Sequence, residues 1–117
     1  MSCARFIAEG LAVRTAAHLL HLSSASYAQH MALGEFYEGL GDLIDKYAEV
    51  CMGLEDRVKT WPTVPNPIDT PIDLLSDFLA SVKEEMREDR GSQSLMNILA
   101  EIEELTARTL YKLRFLK

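Results

Sequence analysis

Three histidines, His18, His21 and His30, fall close together, and Asp45 and Glu49 follow four residues apart. Imidazole nitrogens with carboxylate oxygens make a ligand set that suits iron, with zinc or manganese as substitutes. On a helix the Asp45 and Glu49 carboxylates share one face. Glu35, Glu38 and Asp42 lie broadly opposite the apolar positions and read as a solvated acidic face. His21, one turn after His18, reads as a packing residue ahead of a ligand or a donor behind one. A second acidic pattern, Glu84-Glu-Met-Arg-Glu88 followed by Glu101-Ile-Glu-Glu104, has a different chemistry. Carboxylates facing one another on two antiparallel helices can hold magnesium against a substrate's phosphates.

The elements that must carry these residues are helical, and the expected class is all-α. All four prolines lie between positions 62 and 71. Each removes a backbone donor and clashes within a helix, so residues 55–70 form a connection. The periodicity predicts helices over about 2–21, 26–54, 71–90 and 92–116 of a single domain, 1–117. Ser23, Ser24 and Ser26 mark the first break, because serine competes for backbone bonds and favours caps. The second helix carries Leu33, Phe36, Tyr37, Leu40, Leu43, Ile44, Tyr47, Ala48 and Cys51 at steps of three and four, giving one buried stripe. Thr70, Pro71 and Asp73 form a good start for the third helix. Its expected buried face is Ile72, Leu75, Leu79, Val82 and Met86, and it stops near Gly91. The fourth helix presents Leu95, Leu99, Ile102, Leu105, Thr109, Leu113 and Leu116. Trp61 is expected to anchor the proline-rich connection.

Composition limits the partners. Of 117 residues, 48% are hydrophobic and 26% charged, which suits a domain with a real core. The net charge of −6 argues against non-specific binding to DNA or an anionic membrane, since both need clustered Lys and Arg. No apolar run approaches the ~20 residues that cross a bilayer. The N-terminus lacks the pattern of a signal peptide, so the expected location is cytoplasmic. Cys3 and Cys51 accordingly read as reduced thiols.

Geometry constrains the metal reading. At ~1.5 Å per residue, His30 and Asp45 stand ~22 Å apart along one helix and cannot share an ion within one chain. A homodimer in which the second helix crosses its twofold copy removes the problem, bringing His30 of one subunit beside Asp45 and Glu49 of the other. Gly34 and Gly41 lie on the flank between them, where close approach by another helix is a reason for helical glycine.

The stretch His18-Leu-Leu-His-Leu-Ser-Ser-Ala-Ser-Tyr-Ala-Gln-His30, continuing to Asp45-Lys-Tyr-Ala-Glu49, resembles the core of the Dps-type mini-ferritins of the ferritin-like superfamily. In that family two histidines twelve residues apart precede an Asp-x-x-x-Glu pair. Asp89 to Leu95 and Tyr111 to Phe115 also resemble the family's last helix. The resemblance implies a ferritin-like four-helix bundle built from two helical hairpins and a proline-rich crossover. It also implies a metal site of His18, His30, Asp45 and Glu49 that oxidises ferrous iron across a dimer interface. A similarity to short phage-encoded ferritin-like proteins points the same way. Three features depart from the family. Gly34 occupies the position of an acidic ligand, the turn after the first helix lacks the usual tryptophan and glycine, and no Lys-rich tail is present, so DNA binding is not carried over. One alternative is a catalytically silent ferritin-like oligomer that serves as an interaction protein. The other is an all-α nucleotide pyrophosphohydrolase, whose EExxE…ExxD pattern is similar to Glu84, Glu85, Glu88, Glu101 and Glu104.

Overall fold

Serine, threonine and proline set the helix boundaries. The computed structural model describes residues 3–88 and 92–117, and these form α1 (Ala4–Ser23), α2 (Tyr27–Leu54), α3 (Pro71–Arg87) and α4 (Gln93–Phe115). No strand occurs among the described residues. Ser24 leaves the helical region with ψ 137°. The Ser26 hydroxyl then caps α2 by accepting from the Gln29 amide. Thr70 and Ser92 cap α3 and α4 in the same way, each accepting from an amide three residues on. The first helix runs two residues beyond the expected end at His21. The expected ends at Ser2 and Arg90, and the break at Gly91, lie outside the described residues.

The helices form a four-helix bundle in which α1 and α4 each pack on both α2 and α3. Residues that meet show neighbouring helices to be antiparallel. Cys3 meets Cys51 and His21 meets His30 across α1 and α2. Lys46 pairs with Glu101 at 3.8 Å and Glu35 with Lys112 at 3.1 Å across α2 and α4. Across α1 and α3, Arg5 shares a cleft with Glu84 and Glu88 while Val13 shares another with Leu74, and across α3 and α4 Ser76 near the start of one meets Arg114 at the end of the other. The connection 55–70 passes beside α1, where Val64, Pro65 and Pro67 line one hollow with Arg5, Glu9 and Ala12.

At the centre, the Phe6 ring lies edge-on to Tyr47 at 5.2 Å and stacks on Phe78 at 6.1 Å. The expected stripe of α2 is buried or packed against this core along its length. For α3 the stripe needs correction: Leu74, Leu75, Phe78, Val82 and Glu85 are buried, whereas Ile72 is 36% exposed and Leu79 and Met86 sit at the edge. Positions 72, 79 and 86 follow a strict heptad, which drifts off the buried line of a helix with 3.6 residues per turn. Leu116, expected within the last helix, lies just past the end of α4 and is exposed, whereas Ile98, Thr106 and Leu110 join the buried set. Trp61 is 52% exposed and does not anchor the connection.

The reduced-thiol reading is also corrected, because Cys3 and Cys51 are joined as a disulfide between the start of α1 and the last turn of α2. Their separation of 48 residues hides a proximity that the antiparallel α1–α2 hairpin creates.

Candidate functional site

The seam between α1 and α2 gathers the histidines. Arg14, His18 and His21 recur at helical spacing on α1, and Gly41, Tyr37, Gly34 and His30 answer them on α2. His21 and His30 close the hairpin reciprocally. His21 Nδ1 lies 2.6 Å from the His30 carbonyl, His30 Nδ1 lies 2.9 Å from the His21 carbonyl, and the rings stack at 3.7 Å. The His21 carbonyl is one of the last four of α1, which have no partner within their own helix, and the His30 ring supplies one. Because a carbonyl only accepts, each Nδ1 must donate; in a neutral ring that leaves the lone pair on Nε2, the arrangement by which metal-binding histidines are held.

His18 stacks on Tyr37 at 4.1 Å, and the Arg14 guanidinium lies 6.0 Å over the same ring. Gly34 and Gly41 serve this seam. A methyl at Gly34 would lie 3.0 Å from Cε1 of His21, and one at Gly41 2.5 Å from Nε of Arg14. The space beside both glycines is therefore filled by α1 of the same chain. Arg14 Nε is buried and has no hydrogen-bond partner among the described residues. Beside it, Leu11, Arg14, Glu38, Gly41, Asp42 and Asp45 line a hollow of about 220 Å³.

The structure brings His18, His21 and His30 together at one end of this hairpin and leaves Asp45 and Glu49 exposed farther along α2. Among the described residues, no three of His18, His30, Asp45 and Glu49 converge within one chain. Glu35, Glu38 and Asp42 are exposed as expected, with Glu35 additionally paired to Lys112. The reciprocal bonding of His21 and His30 had no signature beyond the clustering of histidines at a serine-rich break.

The second acidic set is divided between surfaces. Glu85 is buried and accepts a 2.6 Å bond from the Tyr47 hydroxyl, facing α2 through the core. Even so, Glu84, Glu85 and Glu88 border one cleft of about 300 Å³ with Arg5, Phe6, Glu9 and Ser81. Glu101 turns to Lys46 on α2, and Glu104 is exposed. The two halves of the pattern are not gathered into one cluster among the described residues. Nor is any described helix long and apolar enough to cross a membrane.

Residues 21–113 match the model of a family of unknown function (DUF5856), and the chain belongs to that family. The matched segment includes His21, His30, Asp45 and Glu49. An uncharacterized 14.6 kDa protein of the mobD-ri intergenic region of Enterobacteria phage T4 is 37% identical over 75 residues, covering 59% of this chain and 58% of that protein. The chain thus spans less than two thirds of that relative's length. No solved structure matches it.

Proposed function

We propose that this chain is a ferritin-like, metal-binding bundle whose site is completed by a second copy of itself and oxidises ferrous iron there. The observation that carries the reading is the state of His30. Its Nδ1 is tied to a backbone carbonyl, so Nε2 is left as the ligating atom on a ring that neighbouring groups hold still. The topology supports it as well. Helices α2 and α3 are each antiparallel to α1 and α4, so they run the same way and the connection 55–70 must return along the bundle, as a ferritin-like crossover does. Asp45 and Glu49 of one copy and His18 and His30 of another would then hold the metal. The ~22 Å between His30 and Asp45 along α2 makes an antiparallel partner necessary. Carboxylates and imidazoles would bind iron, orient it toward an oxidant and leave positions open for that oxidant.

The same seam favours a second reading. His21 fills the space beside Gly34 and clasps His30, which is enough to hold the hairpin without any metal. On that reading the bundle is a catalytically silent oligomer that acts through protein partners.

Anaerobic ferrous iron titration by calorimetry separates the two. Asp45→Ala alters an exposed side chain and leaves the clasp intact, whereas His30→Ala removes both ligand and clasp. Saturable binding at about one iron per subunit, lost in both variants and followed by rapid oxidation on adding peroxide, is the expected result. Absence of saturable binding in the unaltered protein would overturn the iron reading and leave the silent oligomer.

A further inference from the structure

The disulfide between α1 and α2 has a third chemical group beside it. The sulfurs of Cys3 and Cys51 and a carboxylate oxygen of Glu55 all lie within 4.8 Å of one another. We infer that reduction of this disulfide converts the junction into a zinc site with Cys3, Cys51 and Glu55 as ligands. The inference is independent of the histidine site and uses none of its residues.

Each ligand is placed by the fold. Cys3 is the N-cap residue of α1, and its side chain makes no cap hydrogen bond. The positive end of a helix stabilises a thiolate at that position. Cys51 and Glu55 are one turn apart at the end of α2, where the Glu55 amide donates to the Cys51 carbonyl at 2.9 Å. Their side chains therefore project on one side. The two sulfurs are buried and Glu55 is exposed, so the carboxylate is the solvent-facing ligand.

Two thiolates and one carboxylate match zinc, which takes sulfur at about 2.3 Å and carboxylate oxygen at about 2.1 Å in a tetrahedron. Such a tetrahedron sets its ligand atoms about 3.5–3.8 Å apart, inside the present spread. Magnesium and calcium demand all-oxygen shells and are excluded by the sulfurs. With three protein ligands, the fourth position falls to water.

The chemistry balances with a dithiol reductant. The reductant gives two electrons and two protons to the sulfurs, breaking the Cys3–Cys51 bond and forming its own disulfide. Zinc binding then releases both thiol protons to solvent. A small disulfide oxidant reverses the step: it takes two electrons from the thiolates and two protons from solvent to become a dithiol, the Cys3–Cys51 bond re-forms, and the metal leaves as the free ion. The same two helix ends are thus tied covalently in one state and through zinc in the other.

Cobalt(II) titration of the full chain tests this, since cobalt reports thiolate ligation by charge-transfer absorption and tetrahedral geometry by its d–d bands. The protein is reduced with a phosphine, its free thiols are counted, and cobalt is added without oxygen. About one cobalt per chain with thiolate absorption, displaced by zinc and absent from the oxidised protein, is expected. Glu55→Gln, an exposed change that keeps the disulfide and so controls for folding, should weaken binding about tenfold or more. Cys51→Ser should abolish the charge-transfer band. Fully reduced protein without that band would overturn the site, and so would Glu55→Gln protein that binds as tightly as the unaltered chain. Metal bound at the histidine seam gives no thiolate absorption and does not depend on reduction, so the two sites fail separately.

Discussion

A methyl added at Gly34 would press on the His21 ring, which cannot yield freely because His30 holds it on one face and Tyr37 stands edge-on to it at 5.3 Å. Alanine is worth up to about 1 kcal/mol over glycine inside a helix, but overpacking against a fixed neighbour costs about 1–3 kcal/mol. Gly34→Ala should therefore destabilise the protein by about 1 kcal/mol in urea denaturation. Gly53 lies on the same helix with nothing within 4 Å of an added methyl. Gly53→Ala should stabilise by about 0.5 kcal/mol, the smaller gain reflecting its place near the helix end. If both changes destabilised alike, the contact of Gly34 with His21 would not be the cause. In the core, Tyr47→Phe removes a donor from the buried Glu85 carboxylate. A cost of about 1–3 kcal/mol is expected, because desolvation of the acceptor is no longer offset by that bond.

At the scale of elements, the α1–α2 hairpin is closed at both ends by contacts that join residues distant from the apolar stripes. The histidine clasp satisfies a carbonyl at the end of α1, and Ser26 satisfies an amide at the start of α2. If the clasp is one unit, His21→Ala and His30→Ala should each destabilise, and the double variant should cost less than their sum. A double-mutant cycle is expected to give a coupling of about 1 kcal/mol. A coupling near zero would mean the two rings are merely adjacent.

For the whole molecule, the bundle's 43 Å length is close to the ~42 Å of a 28-residue helix, so α2 sets the long dimension. The disulfide closes a loop of 48 residues that contains most of α1 and α2. The chain-entropy account puts its effect near 4 kcal/mol, through the unfolded chain it restrains. Reduction should lower the melting temperature markedly in calorimetry. Zinc added to the reduced protein should recover part of that loss, because a ligand that binds only the folded state stabilises it. A melting temperature that zinc leaves unchanged would count against the tie between the helix ends.

The sequence by itself determined the four helices, the position of the connection and the buried line of α2. These depend on neighbours in the chain: prolines that cannot continue a helix, hydroxyls that cap one, and apolar residues at helical spacing. The stripe of α3 was only half legible, since Phe78 and Glu85 face inward for reasons set by Phe6 and Tyr47 on other helices. The candidate site was legible as residue types but not as an arrangement. That His21 and His30 bond each other's carbonyls, that Gly34 and Gly41 accommodate α1, and that Cys3 reaches Cys51 all follow from how α1 lies against α2. Tertiary structure decided those features because each needs two segments held in one register, and local periodicity specifies the faces of a helix without specifying what they meet.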